Sequence, residues 1–280
     1  IYLPALAVIF LLFAILMAID PVNRHDWLLE NVLVILFVLL IAGTYRRFPL
    51  SRLSYTLIFL FLMLHEIGSH YTYALVPYDE WFRSMTGTGL NDLLGLERNH
   101  FDRFTHFAYG LLLAYPIREV FIRIADVKGF WSYFLPLDLT MSTSMLYELV
   151  EWGAASFFGG ELGQAYLGTQ GDVWDAHKDM ALASLGALIA MTVTAVLNAW
   201  LQHDFAQEWN ESLRIKRNQP LGEDEIARMR GRTGEQKALR PVPPRHARCG
   251  RAASRGSPRP SLPAPMSTGL FERRAQGAAS

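Results

Sequence analysis

The chain has 280 residues, of which 51% are hydrophobic, 12% aromatic and only 19% charged, and its mean hydropathy is +0.16, a balance on the membrane side of soluble averages. A single cysteine, Cys249, excludes an internal disulfide framework and any cysteine-based zinc cluster. The net charge of zero conceals a division: residues 1–202 hold 11 Lys and Arg against 18 Asp and Glu, net −7, whereas the rest hold 15 against 8, net +7, as expected of a membrane body with a basic tail.

Residues 3–19 carry no charge and, at about 1.5 Å per residue, nearly cross a hydrocarbon core of about 30 Å. A secretory signal is the rival reading, but Ile19-Asp20-Pro21 offers no small-residue cleavage site and further apolar spans follow. Those spans are expected at 27–43, 55–76, 104–122, 134–158 and 179–201. Six spans place both termini on one side of the membrane, and cationic loops stay on the cytoplasmic side. With the termini inside, Arg46, Arg47, Arg52, Arg118, Arg123, Lys128 and the basic tail face the cytoplasm. The expected fold is therefore all-α, a six-helix transmembrane bundle over residues 1–202 with both termini cytoplasmic.

In the tail, Phe205, Trp209 and Leu213 recur at helical spacing ahead of Arg214, Lys216 and Arg217, which predicts an amphipathic helix within 203–220 lying along the inner surface. Residues 221–280 are rich in Arg, Ala, Ser and Pro and are expected to be a disordered basic tail. Its expected partner is membrane lipid, with no nucleic acid.

Charged groups inside membrane spans are costly and point to function. Span three ends in HEIGSHYTY, with His65, Glu66, His70 and Tyr73. Span four opens with NHFDRFTHFAYG, with Asp102, His106 and Tyr109. Span five carries YELVEW, with Glu148 and Glu151, and span six is approached through GDVWDAHKDM, with Asp172, Asp175 and Asp179. The spacing is helical: Glu66 with His70 and Asp102 with His106 are i, i+4, Glu148 with Glu151 is i, i+3, and the three aspartates step by three and four. Each segment thus presents a carboxylate and a second ligand-type group on one face. The topology places all four clusters toward the outer ends of their helices.

So many carboxylates need compensation, by a divalent metal, by shared protons, or by the nearby Arg98, Arg103 and Lys178. In the metal reading the ligand candidates are His70, Asp102, His106, Asp172, Asp175 and Asp179, and the ion is Zn, Mn, Fe or Mg. Glu66, Glu148 and Glu151 are the candidates for acid–base work on a metal-bound water, and His65, Tyr73 and Tyr109 for contact with substrate. HEIGSH is not the zinc-protease HExxH pattern, because its histidines are five apart. Glu30 and Asp138 are read as helix-end residues outside the cluster.

The segments HEIGSHYTY, NHFDRFTHFAYG, YELVEW and GDVWDAHKDM followed by SLGA resemble the signatures of the YjdF-like family of bacterial inner-membrane proteins, a domain of unknown function, over about residues 1–200. The resemblance implies a six-helix inner-membrane protein and supplies no activity. A more limited similarity is to VanZ-like membrane proteins, carried by Asp102, Arg103, His106, Phe107, Tyr109, Glu148, Asp179 and Ser184-Leu185-Gly186. Arg103 stands where those proteins have Lys, and HEIGSHY is not part of their pattern. That similarity tilts the expected substrate toward an envelope component.

The function expected is an outward-facing acidic and histidine site acting as a metal-assisted hydrolase of a lipid or lipid-linked envelope substrate, with residues 77–103 as a lid. The alternatives are a non-catalytic envelope-ligand binding protein and a cation or proton transporter.

Overall fold

The computed structural model describes residues 2–159, 169–216, 220 and 222–238. The chain divides into two units, Ile1–Lys216 and Arg217–Ser280, and all regular structure among the described residues is helical. The first unit contains α1 (Tyr2–Met17), α2 (Arg24–Thr44), α3 (Arg52–His70), α4 (Tyr78–Thr86), α5 (Leu90–Leu94), α6 (Phe101–Ala125), α7 (Trp131–Phe158), α8 (Asp175–Leu201) and α9 (Phe205–Ser212). In the second, α10 (Glu223–Ala238) is a helix within the stretch expected to be disordered. Its Glu, Ala, Met and Arg residues are good helix formers, and Arg228 pairs with Glu225 one turn away. The remainder of that stretch lies outside the described residues.

Three helices, α2, α3 and α8, are long and apolar enough to cross a membrane, and α1 is a shorter apolar helix of 16 residues. α6 and α7, at 25 and 28 residues, have the length but are interrupted by charge. Leu, Ile and Val side chains are exposed along α1 and α2, a surface suited to lipid tails and not to water. α3 ends at His70, six residues short of the span expected from sequence, because Thr72 and Tyr73 take left-handed backbone conformations, φ 56° and 50°, that no helix continues.

α6 is central, packing on α3, α7 and most extensively on α8. Backbone meets backbone at that crossing: a Cβ on Gly110 would overlap the Ala183 carbonyl, and one on Gly186 would overlap the Phe107 carbonyl. Ala114, Ala183 and Ala187 beside them are fully buried. Small residues permit this approach, and dispersion rewards it where lipid supplies no hydrophobic drive.

The bundle has two unlike ends. At one, His70 Nδ1 and Met17 O are 2.8 Å apart, and the Val22 amide donates to the His70 carbonyl at 3.0 Å, so the ends of α1 and α3 meet the start of α2. At the other, Glu119 accepts from the Ser51 amide at 2.8 Å and the Ser54 hydroxyl at 2.6 Å and pairs with Arg123 at 2.8 Å. Also at this second end, α9 docks on α7. Phe205 and Trp209 pack on Tyr133, and Trp131 Nε1 donates to the Ser212 carbonyl at 3.0 Å. Of the apolar face expected to lie on the membrane surface, Phe205 and Trp209 pack on the bundle and Leu213 is exposed. Between the ends the core is apolar, with Val34, Ile58, Leu62 and Leu113 in one cluster and Ala114, Tyr133, Ala187 and Met191 in another.

Candidate functional site

The first end gathers the acids. Asp102 and His106 stand one turn apart on the first turns of α6, Glu148 and Glu151 one turn apart on the second half of α7, and Asp179 in the second turn of α8. Because α6 and α8 touch through glycine and alanine, their polar turns face each other closely. One ligand atom each from Asp102, His106 and Asp179 lies within 4.8 Å of the others. His106 Nε2 is 3.7 Å from Asp102 Oδ1 and 3.5 Å from Glu148 Oε1, and its ring meets Tyr147 edge-on at 5.8 Å. Glu151 adjoins Glu148 and Tyr147. Glu148 Oε1 and Asp179 Oδ1 are buried without a hydrogen-bond partner among the described residues.

The three remaining ligand candidates are engaged elsewhere. The His70 ring faces the Met17 carbonyl, as described above. Asp172 and Asp175 are held by cations: Arg98 Nη2 reaches Asp175 Oδ1 at 2.7 Å, Arg103 Nη2 reaches the same oxygen at 2.9 Å and also Asp172, and Lys178 pairs with Asp172. For these two aspartates the compensation is therefore basic side chains. Lys178 above all, with the Trp174 amide and Arg103, holds the Asp172 carboxyl well below the usual carboxylate range.

Tyr73 reaches the site through strain. Its left-handed backbone lets its amide donate to the Gly68 carbonyl at 2.7 Å and folds the ring back over Gly68, where any Cβ would overlap it. The Tyr73 hydroxyl then lies 2.6 Å from His65 Nδ1, and the His65 ring lies against the Glu30 backbone. Tyr109 turns inward instead, its hydroxyl 2.6 Å from Thr143 Oγ1. Glu66 is 1% exposed on α3, and neither carboxylate oxygen has a hydrogen-bond partner among the described residues.

Glu30 is not a helix-end residue outside the cluster. It is 3% exposed, accepts from the Tyr147 hydroxyl at 2.9 Å, and lies within electrostatic reach of Asp102 and Glu151. Asp26, one turn earlier on α2, is equally buried. The signal was present in the sequence: two carboxylates at i, i+4 near the start of an apolar span, at the level of the other clusters. Tyr147, between Glu148 and the α2 acids, is another residue that the sequence reading passed over.

Comparison with known proteins agrees with this picture at the level of family. A family profile described as "Predicted membrane protein (DUF2238)" matches residues 2–199. The chain is 40% identical over 178 residues, 62% of its own length and 81% of the other, to a protein of Escherichia coli (strain K12) named "Inner membrane protein YjdF". No solved structure matches.

Proposed function

The chain belongs to the DUF2238 family of predicted membrane proteins, and on that premise we propose that it is a six-pass inner-membrane protein whose outer end holds a divalent cation for hydrolysis of a lipid or lipid-linked envelope substrate. Asp102, His106 and Asp179 hold the ion, and Glu148 and Glu151 serve as the proton acceptors beside it. The orientation rests on Arg46, Arg47, Arg52, Arg118, Arg123 and Lys128, which belong to the end away from the acids and keep it cytoplasmic. Both termini of the 1–202 bundle are then cytoplasmic, and the acids face outward.

The observation that carries the reading is the convergence of one imidazole and two carboxylates, with ligand atoms within 4.8 Å of one another, from two helices. The oxygens of Glu148 and Asp179 beside it, unpartnered among the described residues, support the same reading. Buried carboxylate oxygens without donors are expensive, and a cation relieves several at once. A nitrogen and two oxygens suit Zn, Mn or Fe, and Mg where the imidazole stays out. Such an ion supplies Lewis acidity and an acidified water. Glu148 Oε1 faces the same nitrogen as Asp102, so it is placed to take a proton from a water there, and Glu151 with Tyr147 steadies it.

Of the alternatives, passage of ions through the bundle has the apolar clusters around Leu62 and Met191 against it, and non-catalytic ligand capture predicts binding in metal-free protein. The test is elemental analysis of the full chain purified in mild detergent. About one divalent ion per chain is expected, lost in Asp179→Ala. A chain that retains none after exposure to Zn, Mn, Fe and Mg at neutral pH overturns the reading.

A further inference from the structure

Beside the acidic group lies a cationic one with a different character. Arg98, Arg103 and Lys178 pair with two carboxylates, Asp172 and Asp175, and the charges of Arg98 and Arg103 also reach Asp102. Asp175 is one turn before Asp179 on α8, and Arg103 follows Asp102 directly. The two groups therefore share helix turns and border one another. An open polar cleft lies along the cationic edge, walled by Gly95, Leu96, Glu97, Arg98, His100 and Gln170. Arg98 stands between cleft and site: its Nη1 donates to the Thr169 carbonyl at 2.7 Å and its Nη2 holds Asp175. His100 Nε2 stands 3.3 Å from Arg103 Nη1, and Lys178 is 49% exposed.

Beside the cleft walls in sequence stand apolar residues where solvent alone would favour polar ones. Leu93 and Leu94 precede Gly95 on one side, Val173 and Trp174 follow Gln170 on the other, and all four are exposed. Exposed apolar residues that flank, in sequence, a cleft carrying Arg98, His100 and the carboxylate Glu97 match an amphiphile, with an anionic head at Arg98 and acyl chains against the leucines and Trp174.

We infer that this cleft binds the phosphate of a lipid headgroup, with Arg98 as its principal contact and the flanking apolar residues taking the chains. The inference rests on the cation-site reading for its link to chemistry: the headgroup is presented next to Asp102, His106 and Asp179, which makes the substrate class a phosphate-bearing lipid. Asp172 and Asp175 occupy the cations in the meantime and compete with the ligand.

Native mass spectrometry of the full chain in detergent tests this with three probes: phosphatidic acid, diacylglycerol with the same chains, and inorganic phosphate. Phosphatidic acid is expected to bind about 10-fold more tightly than diacylglycerol, the scale of one charge-assisted contact, and more tightly than inorganic phosphate. Arg98→Gln abolishes that preference, and Asp172→Asn, which frees a cation, increases it. Equal binding of phosphatidic acid and diacylglycerol overturns the inference, as does an Asp172→Asn variant that folds but shows no gain. Inorganic phosphate binding as well as the lipid assigns the cleft to a free anion and overturns the lipid class. Metal content measured on the same samples separates the two readings: metal without phosphate preference sinks this inference alone, and phosphate preference without metal sinks the cation site alone.

Discussion

His106 Nε2 stands 3.5 Å from Glu148 Oε1 and 3.7 Å from Asp102 Oδ1, so one ring nitrogen from α6 faces carboxylates of two helices. A neutral imidazole has a single N–H to give, and it satisfies at most one of them. A bound cation satisfies both carboxylates and uses the nitrogen as a ligand. His106→Ala is therefore expected to weaken divalent-metal binding by about 100-fold or more, while His70→Ala leaves it unchanged because His70 faces Met17. Metal titration of the two variants, monitored by calorimetry, checks the contrast.

The same site depends on a contact made by residues with no chemistry of their own. Gly110 and Gly186 let α6 and α8 touch backbone to backbone. Gly110→Leu must push the helices apart or force off-rotamer packing, at a cost of about 1–3 kcal/mol or more, and it moves Asp102 and His106 away from Asp179. Lowered thermal stability and lost metal are expected together. Gly43→Leu, where a Cβ meets nothing, is expected to leave both intact.

Much of this was legible in the chain. The apolar runs located the helices, and the i, i+4 spacing of Asp102 with His106 put both on one face because helical geometry alone dictates it. That α6, α7 and α8 bring their acids to one end followed from placing four polar segments at matching depths. Partner choice was not legible. Asp172 and Asp175 belong to Arg98, on a connection whose path no periodicity describes, and to Arg103 in the first turn of α6. The turn that returns Tyr73 to His65 depends on left-handed backbone at two residues without the glycine that normally signals it.

Asp172 supplies a pH prediction. Its carboxyl is held below the ordinary aspartate value of about 3.9 by Lys178, the Trp174 amide and Arg103. A depressed folded-state pKa contributes stability that is fully present above the unfolded value and is lost as pH falls through the folded one. The stability difference between the native chain and Asp172→Asn is expected to stay level from neutral pH down to about 5 and to shrink below about 4. Thermal unfolding in detergent across that range measures it. A difference that vanishes between pH 8 and 6 would place the network's control on another group.

At the far end of α7 the two residues ahead of its first turn are tied to α9. The Gly129 amide donates to Glu208 Oε1 at 2.8 Å and the Phe130 amide to Ser212 Oγ at 3.0 Å. A hydrogen bond of this kind is worth about 0.5–1.5 kcal/mol net. Ser212→Ala is thus expected to cost about 1 kcal/mol and to accelerate hydrogen exchange at Phe130, while metal binding at the opposite end is unchanged. Trp209 adds a packing contribution, its ring 5.4 Å from Phe130 and 5.9 Å from Tyr133. Trp209→Ala is expected to cost more than Ser212→Ala, in the range of about 3–5 kcal/mol if fully buried and less here because the ring is half-buried. Exchange that stays slow at Phe130 in both variants would mean that α9 does not hold the start of α7.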